Sequence, residues 1–355
     1  MKIPFFRPYI GDQLGDQVRE VLLSGNWTGG PKVVAVEDLL IRTLDLPNCV
    51  CTNSGTSALE IILDVLFAKK GAKIVVPVNT FTTTAEVPKR LGHNVIFCDV
   101  DAVTGMIDIN HLSQILSELE VDAVIPVSIA GFLYDRKSLI ELKKKYNFKI
   151  IEDFAQLSYP SCFDSNVDAT FFSFYPNKIF STPDGGAAIF NDSSYVDKAK
   201  KYRLHGIAKD KSGSYDIEYL GRKSNMTDIV AVILNDQVKV FEYKREKRRQ
   251  IYEQYLDQLD EEYIQVRELE DKVVPSLFTI NVKRRDDLRK FLSDHGVQTS
   301  IHFKPLHLHR YWADGNSYKG ARSYCDTTLS LPFYESLKDD EIIYVSVLIN
   351  RFYSC

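Results

Sequence analysis

Lys149-Ile150-Ile151-Glu152-Asp153-Phe154-Ala155-Gln156 is an apolar run that ends in two carboxylates. A run with so little polar alternation reads as a strand buried on both faces, the kind found in parallel sheets covered by helices. Similar runs lie on either side of it. Strands are predicted at 49–52, 73–78, 94–100, 123–128, 170–175 and 187–190, with helical patterns at 57–68, 109–119 and 136–146. Strand–helix–strand alternation of this kind predicts a large α/β domain built on a mostly parallel sheet.

After about residue 226 the pattern changes. One long amphipathic helix is predicted at 227–259, followed by a strand at 277–282, a helix at 286–295, a short strand at 299–303 and a closing helix at 339–352. Sparse strands among helices predict a smaller α+β domain. The chain is accordingly divided into a large domain, 1–240, and a small C-terminal domain, 241–355. The stretch 208–224 is the most loop-like in the chain.

The 355 residues are 45% hydrophobic and 26% charged with a formal net charge of −4, the balance of an ordinary folded protein. No long basic block is present, which argues against nucleic acid or an anionic membrane as the main partner. Without an apolar leader at Met1-Lys2-Ile3-Pro4 or a later run of membrane length, the expected location is cytoplasmic. The six cysteines, at 49, 51, 98, 162, 325 and 355, lack paired spacing and read as reduced thiols. His307 and His309 could grip a metal from one strand face, but no thiolate or carboxylate pattern completes a site, so no metal is expected.

Three segments carry chemistry. Thr52-Asn53-Ser54-Gly55-Thr56-Ser57 runs from a strand through a small polar turn into a helix, offering free N–H groups and a positive dipole end to an anion. Ser54 or Thr56 could equally be a plain N-cap. Asp153 ends its strand where ligands gather in open parallel sheets, or else caps the next helix. In Ser173-Phe174-Tyr175-Pro176-Asn177-Lys178 a turn could fold Lys178 back over the sheet rim. A Walker loop and GxGxxG are both absent, which disfavours P-loop and NAD-binding enzymes. Taken with Phe81 after a strand, the set matches what pyridoxal 5'-phosphate requires: a phosphate cradle, an aromatic face, a carboxylate for the ring nitrogen and a lysine for the aldehyde.

These blocks resemble the DegT/DnrJ/EryC1/StrS family of sugar aminotransferases, a branch of the fold type I pyridoxal phosphate enzymes. Further matches are Ser24-Gly25-Asn26-Trp27-Thr28-Gly29-Gly30, Arg203-Leu204-His205-Gly206, Asn225-Met226-Thr227-Asp228, His302-Phe303-Lys304-Pro305-Leu306-His307 and Leu329-Ser330-Leu331-Pro332, so the likeness runs over nearly the whole chain. The resemblance implies that Lys178 bonds the cofactor and later moves a proton between substrate and cofactor carbons. It pairs Asp153 with the pyridinium nitrogen, sets Gln156 near the ring hydroxyl, stacks Phe81 on the ring and gives the phosphate to Gly55, Thr56 and Ser173. Asn225 would reach the phosphate of a second subunit, which implies a homodimer with shared sites; strict register with the family's Gly-x-Asn-x-Arg would give that role to Lys223. His302 and His307 would touch substrate, or serve as surface or interface polarity.

The implied reaction moves an amino group from L-glutamate to a keto group of a nucleotide-linked keto-deoxysugar, with surface polysaccharide as a possible destination. The 178–186 stretch and the short His302-to-His307 spacing look more like members acting at carbon 4 than at carbon 3. Phe154, where the family has alanine, and Ser128-Ile129-Ala130-Gly131, where it has His-x-Tyr-Gly, bear on substrate detail. A sugar 3-dehydratase on this fold would carry histidine in place of Lys178, and a non-catalytic sensor would not need the lysine at all.

Overall fold

The computed structural model describes residues 1–210 and 212–354. The thiol expected at Cys355 and one residue of the loop-like stretch, Lys211, lie outside the described residues. The large sheet has seven strands: β1 Val50–Thr52, β2 Lys73–Pro77, β3 Asn94–Cys98, β4 Ala123–Val124, β5 Lys149–Asp153, β6 Ala169–Ser173 and β7 Gly186–Phe190. Their spatial order is β1-β7-β6-β5-β4-β2-β3. β3, β2, β4, β5 and β6 run parallel, whereas β7 is antiparallel to both its neighbours. This is the α/β sheet of fold type I.

Side chains two apart on a strand share a face, and the core divides accordingly. Ile74, Val76, Ile151 and Phe171 join one apolar cluster with the helix Gly55–Leu66. Val75, Ile150 and Phe172 join the other, with Val36 and Leu40 of the helix Pro31–Leu44 and Leu139 of the helix Arg136–Tyr146. Both faces of the sheet are therefore buried, which is why its strands carry so little polar alternation.

Two short strands, β8 Ile207–Lys209 and β9 Tyr215–Ile217, form an antiparallel hairpin inside the stretch expected to be loop. A second sheet, in the order β10-β11-β12, is antiparallel: β10 Ile264–Val266, β11 Phe278–Val282 and β12 Thr328–Leu331. Its apolar face continues the Ile150 cluster through Phe278, Ile280 and Leu329. Tyr252 and Tyr255 of the helix Phe241–Gln258 pack on Phe278 with ring centroids 4.7 and 4.6 Å away. The N-terminal segment also joins this part of the chain: the Ile3 N–H donates to the Gly296 carbonyl, and Arg7 pairs with Glu341 at 2.9 Å.

Two further expectations are corrected. The segment 299–303 is not a strand: only Ser300 pairs, with Ser330, before the chain turns toward the large sheet, where the Phe303 N–H donates to Asn79 at 3.1 Å. Pro305, lacking an N–H, could not have continued a ladder. The predicted helix at 227–259 is two helices, Asp228–Lys239 and Phe241–Gln258, separated at Val240. The first is tied at its start by the Asp228 carboxylate, which accepts the N–H groups of Gly30 and Lys32. The second buries Phe241 against Phe180 at 5.2 Å and carries its tyrosines to the small sheet.

Candidate active site

A cavity of about 520 Å³ opens at the carboxyl end of the parallel strands, the position at which open α/β sheets bind ligands. Its walls bring together Gly55, Thr56, Phe81, Asp153, Gln156, Ser173, Lys178 and His302. Asn225 and His307 are not among the lining residues.

The two carboxylates of β5 point opposite ways. Glu152 is fully buried away from the cavity, accepting from Tyr134 at 2.7 Å, Arg136 at 2.8 Å and Thr170 at 3.1 Å. Asp153 faces the cavity and accepts from the Thr84 hydroxyl at 2.8 Å and the Ala155 N–H at 3.0 Å. Burial raises its carboxyl pKa, and those two donors together with the Lys178 charge oppose the rise.

Lys178 follows β6 through a turn closed by its own N–H on the Tyr175 carbonyl at 2.9 Å. The Ser181 hydroxyl caps the Lys178 carbonyl at 2.7 Å. Burial in the cavity wall lowers the amine to about 8 against the opposing pull of Asp153. A lysine near neutrality can act as a nucleophile and as a proton carrier.

At the far end of the cavity, Ser54 caps the helix Gly55–Leu66 by accepting the Ser57 N–H at 3.1 Å. With that cap supplied, the Thr56 hydroxyl is left on the cavity wall, 3.2 Å from Thr83. The first amides of a helix have no carbonyl to donate to, so this end is an anion cradle. Two glycines make it possible. A Cβ at Gly55 would lie 2.9 Å from Ser173 Cβ, and one at Gly186 would lie 2.5 Å from the Gly55 nitrogen. The helix start therefore presses directly onto β6 and β7.

Three side chains complete the walls. Phe81 is 60% exposed, an apolar ring left open to the cavity beside Phe303. The Gln156 side-chain oxygen Oε1 accepts the Ala130 N–H at 2.8 Å, which leaves its side-chain N–H groups for the remaining space. His302 Nδ1 is engaged with the Ser330 hydroxyl at 2.8 Å, and burial, aided by the Lys178 charge, holds its pKa down to about 3, so the ring is neutral.

His307 packs on the Tyr318 ring at 4.9 Å within the short turn Leu306–Leu308. Asn225 lies beside β1, where it pairs with Thr52, donates to Thr28 at 2.8 Å and accepts from the Lys223 amine. The two candidates for one role, Lys223 and Asn225, are thus hydrogen-bonded to each other. Sequence reasoning missed Thr84, although the hydroxyl-rich run Thr80-Phe81-Thr82-Thr83-Thr84 was a signal for it, and missed Asn177, whose buried side-chain oxygen has no partner among the described residues. Among the described residues, no group of three or more His, Cys, Asp or Glu side chains could hold a metal ion.

An anion cradle, an open aromatic face, a buried aspartate and a near-neutral lysine around one cavity fit pyridoxal 5'-phosphate, and with fold type I they define an enzyme that uses this cofactor. Comparison with known proteins agrees. The model of the DegT/DnrJ/EryC1/StrS aminotransferase family matches residues 8–350, and the chain belongs to that family. GDP-perosamine synthase of Escherichia coli O157:H7 is 26% identical, with 99% of each chain covered. UDP-4-amino-4-deoxy-L-arabinose–oxoglutarate aminotransferase of Shewanella sediminis is 27% identical, covering 89% of this chain and 87% of that one. Spr1654 of Streptococcus pneumoniae, assigned as a sugar aminotransferase, superposes in its PMP form with a TM-score of 0.91 at 28% identity, over 99% of both chains. The protein is a pyridoxal-phosphate-dependent aminotransferase.

Proposed function

We propose that the protein moves an amino group from L-glutamate to the carbon 4 keto group of a nucleotide-linked keto-deoxysugar. It works in the cytoplasm as a homodimer, with residues 1–240 as cofactor domain and 241–355 as the small domain. The observation that carries this reading is the pairing of Lys178, its amine held near 8, with a buried Asp153 in one cavity. Two relatives bear names specifying nucleotide-linked amino sugars, and one of those names includes oxoglutarate, the keto acid left when glutamate gives up its nitrogen.

Pyridoxal phosphate supplies, when bound, an aldehyde carbon that carries nitrogen from donor to acceptor and a protonated ring that withdraws electrons. The chain supplies the rest. Asp153 would pair with the protonated ring nitrogen, and Thr84 and the Ala155 N–H, by donating to its carboxylate, oppose the rise that burial imposes on it. Gly55 and Thr56, with Ser173, would hold the phosphate at the helix start, and Asn225 would serve the partner subunit's phosphate. Gln156 would donate an N–H to the ring hydroxyl, and Phe81 would cover one ring face. Lys178 Nζ would take the proton from the donor carbon and deliver it to the cofactor carbon, then carry it from the cofactor carbon to the sugar carbon in the second half, a task suited to an amine of lowered pKa. His302 stays neutral and can donate or accept at a sugar hydroxyl.

A screen of keto-sugar nucleotides with glutamate, read by mass spectrometry, tests the proposal. The expected product has exchanged a keto oxygen for an amine at carbon 4. A product that loses oxygen without gaining nitrogen, or one aminated at carbon 3, contradicts it.

A further inference from the structure

Lys244 has no part in the site described above, yet its side chain is fully buried. Buried lysines are rare and need a partner. Its ammonium donates to the main-chain carbonyl of Ile179 at 2.8 Å and to the Gln237 side-chain oxygen, and it lies 5.5 Å from the Tyr9 ring centroid. Ile179 is the residue directly after Lys178. Gln237 is braced in turn, donating to the Tyr9 carbonyl at 3.0 Å.

One helical turn on, Arg248 is equally buried and binds Glu335 at 2.8 Å and the Ser276 carbonyl at 3.0 Å. The helix Phe241–Gln258 therefore grips the small sheet's surroundings with one cation and the Lys178 turn with the other. The charged groups around Lys244 are Glu335 and Asp236, which favour its ammonium, and Arg248, which with the dominant effect of burial lowers it to about 8.

We propose that Lys244 is a positioning residue for Lys178: its bond to the Ile179 carbonyl fixes the turn that aims the reactive amine. The carbonyls of 178 and 179 are then both pinned, the first by Ser181 and the second by Lys244. The inference rests on the reading of Lys178 as the amine that bonds the cofactor. A loosened turn would let water reach that amine and relieve the burial that lowers it, moving its pKa back toward an ordinary lysine.

The test is the pH dependence of cofactor capture by the full-length apoprotein, followed by absorbance after adding pyridoxal phosphate, alongside steady-state kinetics. For Lys244→Met the capture midpoint is expected to rise by about half a pH unit or more. kcat should fall roughly tenfold while KM for glutamate stays near wild type, because orientation of the amine, not donor binding, is lost. A folded Lys244→Met with an unmoved midpoint and wild-type kcat overturns the proposal. If that variant does not fold, Gln237→Met is measured in its place, with the same shift expected at smaller size and wild-type values again overturning it. Lys178→Ala separates the two claims. Should it capture cofactor like wild type, the reading of Lys178 fails; should it not, while Lys244→Met behaves as wild type, only the positioning role fails.

Discussion

Glu152 and Asp153 are consecutive on β5, both buried, and made opposite in character by the faces they occupy. Burial pushes both carboxyls up. On the face covered by the helix Arg136–Tyr146, Glu152 is enclosed by Arg136, Tyr134 and Thr170, and a guanidinium contact to its carboxylate closes to 2.6 Å. On the cavity face Asp153 has a hydroxyl, one amide and open space. A saturated carboxylate can only hold structure together. An incompletely satisfied one can take a ligand's positive charge, and that difference marks the active face of the sheet.

The contrast can be broken most sharply at the lysine opposite Asp153. Lys178→Ala is expected to lower turnover on the order of 10⁴-fold, measured as glutamate-dependent amination, since on the proposed reading it removes the nucleophile and proton carrier together. Next comes the pair itself. Asp153→Asn should cost about 10³-fold in turnover with little change in denaturant midpoint, since on the same reading it removes the charge that would face the ring nitrogen. Glu152→Gln should do the reverse: about 3 kcal/mol of unfolding free energy is lost because Arg136 keeps a buried charge without its partner, while the folded fraction stays active. Equal effects of the two substitutions on both readouts would erase the distinction.

Smaller effects arise from titration. Lys178 held at about 8 means that its neutral fraction falls about tenfold for each pH unit below that value, so cofactor capture should climb with pH and level off above about 8. A rate still climbing steeply toward the ordinary lysine value would mean that burial does not tune the amine. Least of all, Thr84→Val removes one donor from Asp153 and leaves burial less opposed. Its carboxyl pKa should rise, the acid limb of the kcat profile should move to higher pH, and kcat should fall by about tenfold or less.

Much of this contrast was legible in the sequence, for reasons that differ by region. β5 and the helix Arg136–Tyr146 match their predicted bounds, because continuous burial and an Asp135 N-cap leave direct marks in residue type. Asp153 was picked out over Glu152 by its place at the strand end and by the family resemblance, and it is the one that lines the cavity. Alternation tells only that the two must differ, so the enclosure of Glu152 by Arg136, Tyr134 and Thr170 was not legible. Thr84 escaped because the hydroxyl-rich run around it marks the region only, and nothing local tells which of its hydroxyls bonds an acid 69 positions away. The break at Val240 escaped because neither glycine nor proline marks it; tertiary packing of Phe241 accompanies it instead. His302 and His307 looked equivalent by spacing, yet the chain turns at Pro305 and only the first reaches the cavity.

Which amine meets the cofactor decides the chemistry of the whole site. Reducing the cofactor-loaded protein with borohydride and mapping the modified peptide by mass spectrometry reads this directly. The expected result is a phosphopyridoxyl group on Lys178 alone. Labelling at another lysine, or label scattered over surface lysines with Lys178 unmodified, would contradict it.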